Sequence, residues 1–195
     1  MNLAENQKYA FELPELPEGL LEALSQATSD QGIKRVAFVG GIVRDGLLQK
    51  IDGKKQPKPI DIDLIVEGSA EKLASSLQSK LGSERVSEVL IYKSYQTVGI
   101  LLDQVPIDIA SSRKETYKNP GENPTVSSVA LEQDLERRDF IINAMAVDVA
   151  SGTLLDPHQG EEALKNRELA FLHSRSITDD PTRLIRAARY AARLK

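Results

Sequence analysis

Residues 39–45 read Val-Gly-Gly-Ile-Val-Arg-Asp, and residues 60–66 read Ile-Asp-Ile-Asp-Leu-Ile-Val. The second run is typical of a buried strand. Residues two apart in a strand point to the same face, so Asp61 and Asp63 leave one side of it. Two neighbouring carboxylates repel each other, and Mg²⁺, which prefers hard oxygen ligands, would neutralise them. The alternative is a pair of solvent-exposed aspartates on an edge strand. The apolar setting, in which an unpaired carboxylate is costly, favours the metal.

The glycine pair Gly40 and Gly41 lies between a predicted strand and a predicted helix, one strand ahead of the aspartates. Such a loop can direct backbone N–H groups at a phosphate. Arg44 could donate two parallel hydrogen bonds to a β- or γ-phosphate, and an ion pair with Asp45 is the competing interpretation. A Gly-Gly pair alone is often only a turn. Its position before the aspartates favours a triphosphate site.

A third carboxylate is expected on a neighbouring strand. Asp108 lies in the apolar run 106–110 and is the first candidate, whereas Asp103 falls in a predicted turn. With Asp61 and Asp63 it suggests two Mg²⁺ ions. One ion would lower the pKa of an attacking hydroxyl, and the other would stabilise a leaving pyrophosphate.

Composition limits the class of protein. The 195 residues carry a net charge of −4 and no cysteine, which excludes disulfides and cysteine metal sites. There is no secretory signal and no apolar run long enough to cross a bilayer, so we expect a cytoplasmic protein without a membrane partner. His158 and His173 show no spacing typical of a metal or base role. The positive charge concentrated toward the C-terminus is the better candidate for an RNA-binding surface.

The hydrophobic pattern predicts alternating helices and strands followed by a helical C-terminus. Predicted helices cover residues 18–28, 42–49, 70–81, 131–137, 139–146, 160–166 and those after 181. Predicted strands cover 34–39, 60–66, 85–91, 95–102, 105–110, 146–150 and 153–155, and residues 111–130 are predicted to be a long loop. We expect an N-terminal arm and helix (1–30), a catalytic head (31–150) and the start of a neck (151–195). The last helix lacks a C-cap, which predicts a truncated neck.

Four segments in this order resemble the motifs of class II tRNA nucleotidyltransferases and bacterial poly(A) polymerases, a branch of the polymerase-β-like nucleotidyltransferases. The segments are residues 40–45 with 61–63, then 137–146, 156–160 and 179–189. The resemblance runs from residue 38 to residue 195. It implies an α+β nucleotidyltransferase head, with a small, mostly antiparallel sheet flanked by helices, followed by the start of a helical neck.

The second motif, in this family, surrounds the ribose and triphosphate. The resemblance implies that Asp139 accepts a hydrogen bond from a ribose hydroxyl and that Arg138 contacts phosphate. Asn143 lies four residues after Asp139, on the same face of the predicted helix. Consecutive charges such as these are also typical of a solvated helix start.

The fourth motif, in this family, reads the incoming base. The Asp180 carboxylate would accept from the exocyclic amine of C or A, and the Arg183 guanidinium would donate to the adjacent ring acceptor. G and U present the opposite pattern and would be rejected. Arg186 and Arg189 belong to the same motif. Asp180 before a proline is also a normal helix N-cap, and Asp179 stands where the family usually has Glu.

The resemblance implies attack of a tRNA 3′-hydroxyl on the α-phosphate of ATP, and of CTP in some members, with release of pyrophosphate. Residues 111–130 resemble the flexible loop of members that add the terminal A, which favours A-adding or complete CCA-adding activity. A poly(A) polymerase acting on RNA 3′ ends is the nearest alternative. A non-catalytic ATP- or RNA-binding fragment is an alternative of another class.

Overall fold

A seven-stranded mixed sheet forms the centre of the protein. The computed structural model describes residue 13 and residues 15–30, 32–54, 61–116 and 124–194. The described strands are β1 (Ile33–Val39), β2 (Ile62–Gly68), β3 (Val86–Tyr92), β4 (Thr97–Leu102), β5 (Val105–Ser111), β6 (Arg113–Thr116), β7 (Thr125–Ser128), β8 (Ala146–Asp148) and β9 (Leu154–Leu155). The described helices are α1 (Leu20–Ala27), α2 (Gly41–Asp52), α3 (Ala70–Leu81), α4 (Leu131–Leu135), α5 (Gly160–Lys165), α6 (Ser176–Asp179) and α7 (Arg183–Arg193).

The order of strands in the sheet is β3-β4-β5-β2-β1-β8-β9, and β6 and β7 form a separate two-stranded ribbon. Strands β2 and β5 are parallel, and every other neighbouring pair is antiparallel. The prediction of a mostly antiparallel sheet flanked by helices is therefore confirmed. The single parallel pair places the start of β2 beside the middle of β5, and both strands carry an aspartate there.

The two faces of the sheet have different covers. One face carries Phe38, Leu64 and Ile109 into the main core, where α1, α2 and α3 pack over it. The opposite face carries a smaller apolar cluster that includes Ile65 and Leu131, the latter from α4. Because α4 is short, it covers only part of its face, and the remainder is available for a site.

The predicted helix over 139–146 is wrong. Residues Ile141–Asn143 form one 3-10 turn, and Ala146 begins β8. The Asp139 side chain accepts the N–H of Phe140 at 2.9 Å, which offers the backbone a local alternative to a helix. Phe140 itself is extended and bridges to Phe171.

The predicted long loop over 111–130 is also wrong in part, because β6 and β7 pair from Arg113↔Ser128 to Thr116↔Thr125. Its polar residues lack the apolar alternation that signals a strand. The centre of this segment (117–123), most of the predicted N-terminal arm (1–12 and 14), residues 55–60 and Lys195 lie outside the described residues. No described helix is long and apolar enough to span a membrane.

Candidate active site

Acidic side chains form a row across the partly covered face of the sheet. Asp63 of β2 and Asp108 of β5 are direct register partners in the parallel pair. Asp61 precedes β2 by one residue and is exposed, so it leaves the chain on the Asp63 side, two residues earlier. Asp103 lies apart, in the β4–β5 turn, where it pairs with Arg85 at 2.6 Å. The three aspartates predicted from the sequence are therefore neighbours, where the start of β2 lies beside the middle of β5.

The row is electrostatically strained. The pKa of Asp63 is raised to about 6, chiefly by burial and also by repulsion from Asp61 and Asp108, against the attraction of Arg138 and Arg186. Burial and the charge of Asp61 also raise the pKa of Asp108. A positive ligand would relieve this repulsion, because it would favour the ionised carboxylates.

The carboxylates fit a cation that completes its shell with substrate oxygens. In the described part of the chain, no three acidic, histidine or cysteine side chains are arranged to hold a metal. Mg²⁺ usually takes one or two protein carboxylates together with substrate phosphates and water. Asp61 and Asp63, as hard oxygen donors on one side of β2, match that requirement.

Gly40 brings the β1–α2 loop against the carboxylate row. Its φ of 68° and ψ of −126° belong to a region that side chains rarely adopt. A Cβ at this position would lie 3.0 Å from Asp63 Oδ2 and 3.6 Å from Arg138 Nη1. Glycine therefore keeps open the space between an acidic and a basic group, as a phosphate site requires. At Gly41 a Cβ would lie 3.6 Å from Arg44 Nη2.

Arg44 is buried and already paired. Its Nε donates to Asp45 Oδ1 at 2.9 Å and its Nη1 to Asn143 Oδ1 at 2.7 Å. The guanidinium carbon lies 4.9 Å from the centre of the Tyr190 ring. The ion pair anticipated as the alternative to phosphate binding is thus present, and a phosphate contact by Arg44 stays a prediction.

Arg138 has the free donor that a phosphate needs. Its side chain is 18% exposed, and its Nη2 lies 3.5 Å from Asp134 Oδ2. Its Nε is buried without a hydrogen-bond partner among the described residues. Burial lowers the pKa of Arg138, which means that its charge is poorly solvated. An unpaired buried donor in a native site calls for an explanation, and a bound anion is one.

Asp139 links the head to the last helix. Its Oδ1 accepts from Asn143 Nδ2 at 3.0 Å, and its Oδ2 accepts from Arg186 Nε at 2.7 Å. Arg186 Nη2 in turn donates to the Tyr190 hydroxyl at 2.9 Å. Asp139 and Asn143 therefore meet as predicted, although on a turn rather than a helix, and α7 supplies their cationic partner.

Asp180 and Arg183 stand together at the start of α7. Asp180 Oδ1 accepts from the backbone N–H of Thr182 at 2.9 Å and from its hydroxyl at 2.6 Å, so the capping role is present. Asp180 Oδ2 is 3.9 Å from Arg183 Nε. Arg183 is buried and its Nη2 donates to the Arg137 carbonyl, whereas its Nη1 has no partner among the described residues. Recognition of a base by this pair stays a prediction, because the Arg183 Nη1 is buried.

Tyr190 is the site residue that the sequence patterns did not identify as functional. It is buried, packs edge-on against Phe140, and lies under the guanidinium groups of Arg44, Arg186 and Arg189. The sequence indicated only that Tyr190 lies on the apolar side of α7, and any core residue of a helix has such a position. Arg189 is itself exposed, with Nη2 3.3 Å from the Tyr190 hydroxyl.

Comparison with known proteins identifies relatives of this arrangement. A family model described as the poly A polymerase head domain matches residues 36–170. An A-adding tRNA nucleotidyltransferase of Aquifex aeolicus is 39% identical over 163 residues, which are 82% of this chain and 18% of that protein. A CC-adding tRNA nucleotidyltransferase of Deinococcus radiodurans is 37% identical over 164 residues, 82% of this chain and 41% of that protein. The chain spans less than half the length of either relative.

Solved structures share the fold. A CCA-adding enzyme in its apo form II superimposes with a TM-score of 0.75 and 32% identity, covering 91% of this chain and 41% of that one. A tRNA nucleotidyltransferase complexed with a primer tRNA and an incoming ATP analog superimposes with a TM-score of 0.70 and 34% sequence identity. The match covers 88% of this chain and 45% of that one. These similarities confirm the predicted nucleotidyltransferase head and the resemblance read from the four motifs.

Proposed function

The chain belongs to the poly A polymerase head-domain family, and on that premise we propose that it adds A, or C and A, to the 3′ end of tRNA. The donor is ATP, or CTP, and pyrophosphate is released. The named relatives that cover the chain add A or CC to tRNA, and one solved neighbour holds a primer tRNA with an ATP analog. The observation that carries the proposal is the acidic row beside a largely buried arginine: Asp63 and Asp108 are in register, and the Arg138 guanidinium lies across Gly40 from Asp63.

Asp61 and Asp63 would hold Mg²⁺, with Asp108 beside them. When bound, the metal ions supply a Lewis acid for the attacking hydroxyl and for the leaving pyrophosphate. The chain's own residues position the reactants. Arg138 would offer its Nη1, which lies beside Gly40, to the triphosphate, and Gly40 leaves room for a phosphate oxygen between Arg138 and Asp63. Phosphoryl transfer depends mainly on such positioning and charge neutralisation.

The ribose and base would lie between the head and α7. Asp139, on the head, would accept a hydrogen bond from a ribose hydroxyl. This bond would replace one of the hydrogen bonds that Asp139 now accepts from Asn143 and Arg186. Asp180, which precedes α7, and Arg183, its first residue, would offer one acceptor and one donor to the base. That pattern complements the edges of A and C. Arg186 and Arg189, which also belong to α7, add positive charge to the same site. Residues 151–195 are accordingly proposed as the start of a base-reading neck.

A single assay separates the candidate activities. The chain is incubated with Mg²⁺, radiolabelled ATP or CTP, and tRNA transcripts ending before CCA, after C or after CC. A-adding activity predicts one AMP on the -CC transcript only, whereas CCA-adding activity also predicts CMP on the shorter transcripts. Long A tails on unrelated RNA would indicate a poly(A) polymerase. Nucleotide binding without incorporation into any RNA would contradict the proposed transfer and favour a binding fragment.

A further inference from the structure

The catalytic face of the sheet continues onto the edge strand β3, where apolar side chains are exposed. Leu90 is 54% exposed and Tyr92 is 50% exposed. Leu90 pairs with Gly99, and Gly99 pairs with Asp108. Register partners share a face, and Tyr92 lies two residues from Leu90, so both side chains lie on the Asp108 side of the sheet. We call Leu90 and Tyr92 the β3 platform.

Gly99 leaves no side chain between the platform and the acidic row. A Cβ at Gly99 would lie 3.3 Å from Asp108 Oδ1 and 3.9 Å from Cε2 of the Tyr92 ring. The ring edge and the carboxylate therefore flank the same residue. A ligand bound on the β3 platform would therefore place the atoms that extend from it close to the Asp108 carboxylate.

The two sides of the acidic row differ in charge. Toward β1, Asp63 faces Gly40 and the guanidinium of Arg138, and it is also stabilised by Arg186 of α7. The proposed triphosphate and ribose sites occupy that side. Toward β4 and β3 the surface is apolar and aromatic. In an in-line displacement the attacking hydroxyl and the leaving pyrophosphate stand on opposite sides of the α-phosphate, so the acceptor approaches from the side away from the triphosphate.

We propose that Leu90 and Tyr92 bind the 3′-terminal base of the acceptor RNA, and that the base stacks on the Tyr92 ring. This inference rests on the function proposed above. Stacking on an aromatic ring tolerates any base, because every base has a flat π-face, and it contributes about 1–3 kcal/mol per base. An acceptor whose last nucleotide changes as C and A are added needs a contact of that kind. Lys93, which follows Tyr92 directly and is exposed, supplies positive charge for the RNA backbone beside the platform.

Ile91 provides a matched control. It is 49% exposed, between Leu90 and Tyr92, and its register partner Val98 belongs to the opposite, core-facing side of β4. Tyr92→Ala, Tyr92→Phe and Ile91→Ala are compared in the intact chain. The probe is a tRNA transcript whose 3′-terminal nucleotide is 2-aminopurine, the fluorescence of which falls on stacking. The dissociation constants of this RNA and of ATP with Mg²⁺ are measured for each variant.

Tyr92→Ala is expected to weaken RNA binding about 10-fold, since one lost base stack of about 1.4 kcal/mol corresponds to that factor, and to abolish the fluorescence quenching. ATP affinity should stay unchanged, and Tyr92→Phe and Ile91→Ala should both behave like wild type. Equal quenching by wild type and Tyr92→Ala would overturn the platform while leaving the proposed function intact. Wild type that binds ATP but neither binds nor extends RNA would instead overturn the function. Self-association lost equally in Tyr92→Ala and Ile91→Ala would assign the exposed strand to a second copy of the chain and contradict the inference.

Discussion

At the scale of single residues, the raised pKa of Asp63 makes stability depend on pH. The native carboxyl keeps its proton up to about pH 6, whereas the unfolded chain releases it near the ordinary value of 3.8. The native state then binds more protons than the unfolded state in this window, so the free energy of unfolding falls as the pH rises through it. Asp63→Asn removes the buried charge.

We expect Asp63→Asn to be more stable than wild type by about 2–3 kcal/mol at neutral pH, with the difference vanishing near pH 4. Urea unfolding across this range, without Mg²⁺, measures it. Asp103→Asn is the control, because its hydrogen bond to Arg85 lowers the pKa of Asp103 and gives a pH trend of opposite sign. A constant difference between Asp63→Asn and wild type at all pH values would contradict the electrostatic description of the acidic row.

Arg183 is the residue proposed to donate a hydrogen bond to the incoming base. Arg183→Lys keeps the charge but loses the planar fork of donors. Incorporation of UMP and GMP relative to AMP should rise about 10-fold or more, because the base-reading pattern is lost while the triphosphate contacts remain. The measurement is competition between nucleotides on one transcript. Arg85→Lys, an exposed arginine paired with Asp103, is the control, and unchanged selectivity in Arg183→Lys would remove Arg183 from base recognition.

At the scale of elements, α7 is held to the head by the Tyr190 ring and by the ion pairs of Arg186 with Asp139 and of Arg193 with Asp45. Tyr190 packs against Phe140 with ring centres 5.5 Å apart, and its hydroxyl accepts from Arg186. Tyr190→Phe should cost about 1 kcal/mol, the value of one hydrogen bond, and Tyr190→Ala about 3–4 kcal/mol for the lost packing. Denaturant unfolding measures both. Equal losses in the two variants would contradict the packing role of the ring, because the hydroxyl bonds only Arg186 and Arg189 of the same helix.

The β6–β7 ribbon is the element proposed to set the number and kind of nucleotides added. Because Arg113 and Ser128 are register partners, two glycines can close the ribbon in place of residues 114–127, and this change also removes the ion pairs of Glu115 with Arg113 and Arg137. We expect this deletion to reduce A addition to a -CC transcript far more than C addition to shorter ones. Equal reduction of both reactions would show that the ribbon acts on stability or on RNA binding in general.

Sequence patterns predicted elements best where a single periodicity dominates. The helix at α3 and its Ser69 cap were predicted, and the cap is present, with the Ser69 hydroxyl accepting from the Lys72 N–H at 3.3 Å. The predicted helix after Asp139 was wrong because a side-chain hydrogen bond replaces a helical one, and hydrophobic periodicity carries no information about such a bond. The β6–β7 ribbon was predicted to be a loop because its polar strands lack the alternation of apolar and polar residues that indicates a strand.

At the scale of the whole molecule, the sequence predicted which carboxylates belong together but not what surrounds them. Asp61, Asp63 and Asp108 could be grouped because each lies in an apolar run that reads as a strand. Their register, the closeness of Gly99 to both Asp108 and Tyr92, and the burial of Arg44 depend on strand order. Strand order joins residues far apart in the chain, which local patterns do not encode. Tyr190 was missed for the same reason.

The central claim is that the acidic row carries out nucleotidyl transfer. The most direct measurement is incorporation of radiolabelled AMP into a tRNA transcript ending in -CC, with Mg²⁺, by wild type, by Asp61→Ala plus Asp63→Ala, and by Asp103→Ala. Loss of electrostatic stabilisation at the reacting phosphate predicts a rate at least about 100-fold lower for the double variant. Asp103→Ala, whose aspartate lies in the β4–β5 turn, should match wild type. Incorporation by the double variant at the wild-type rate would contradict the account.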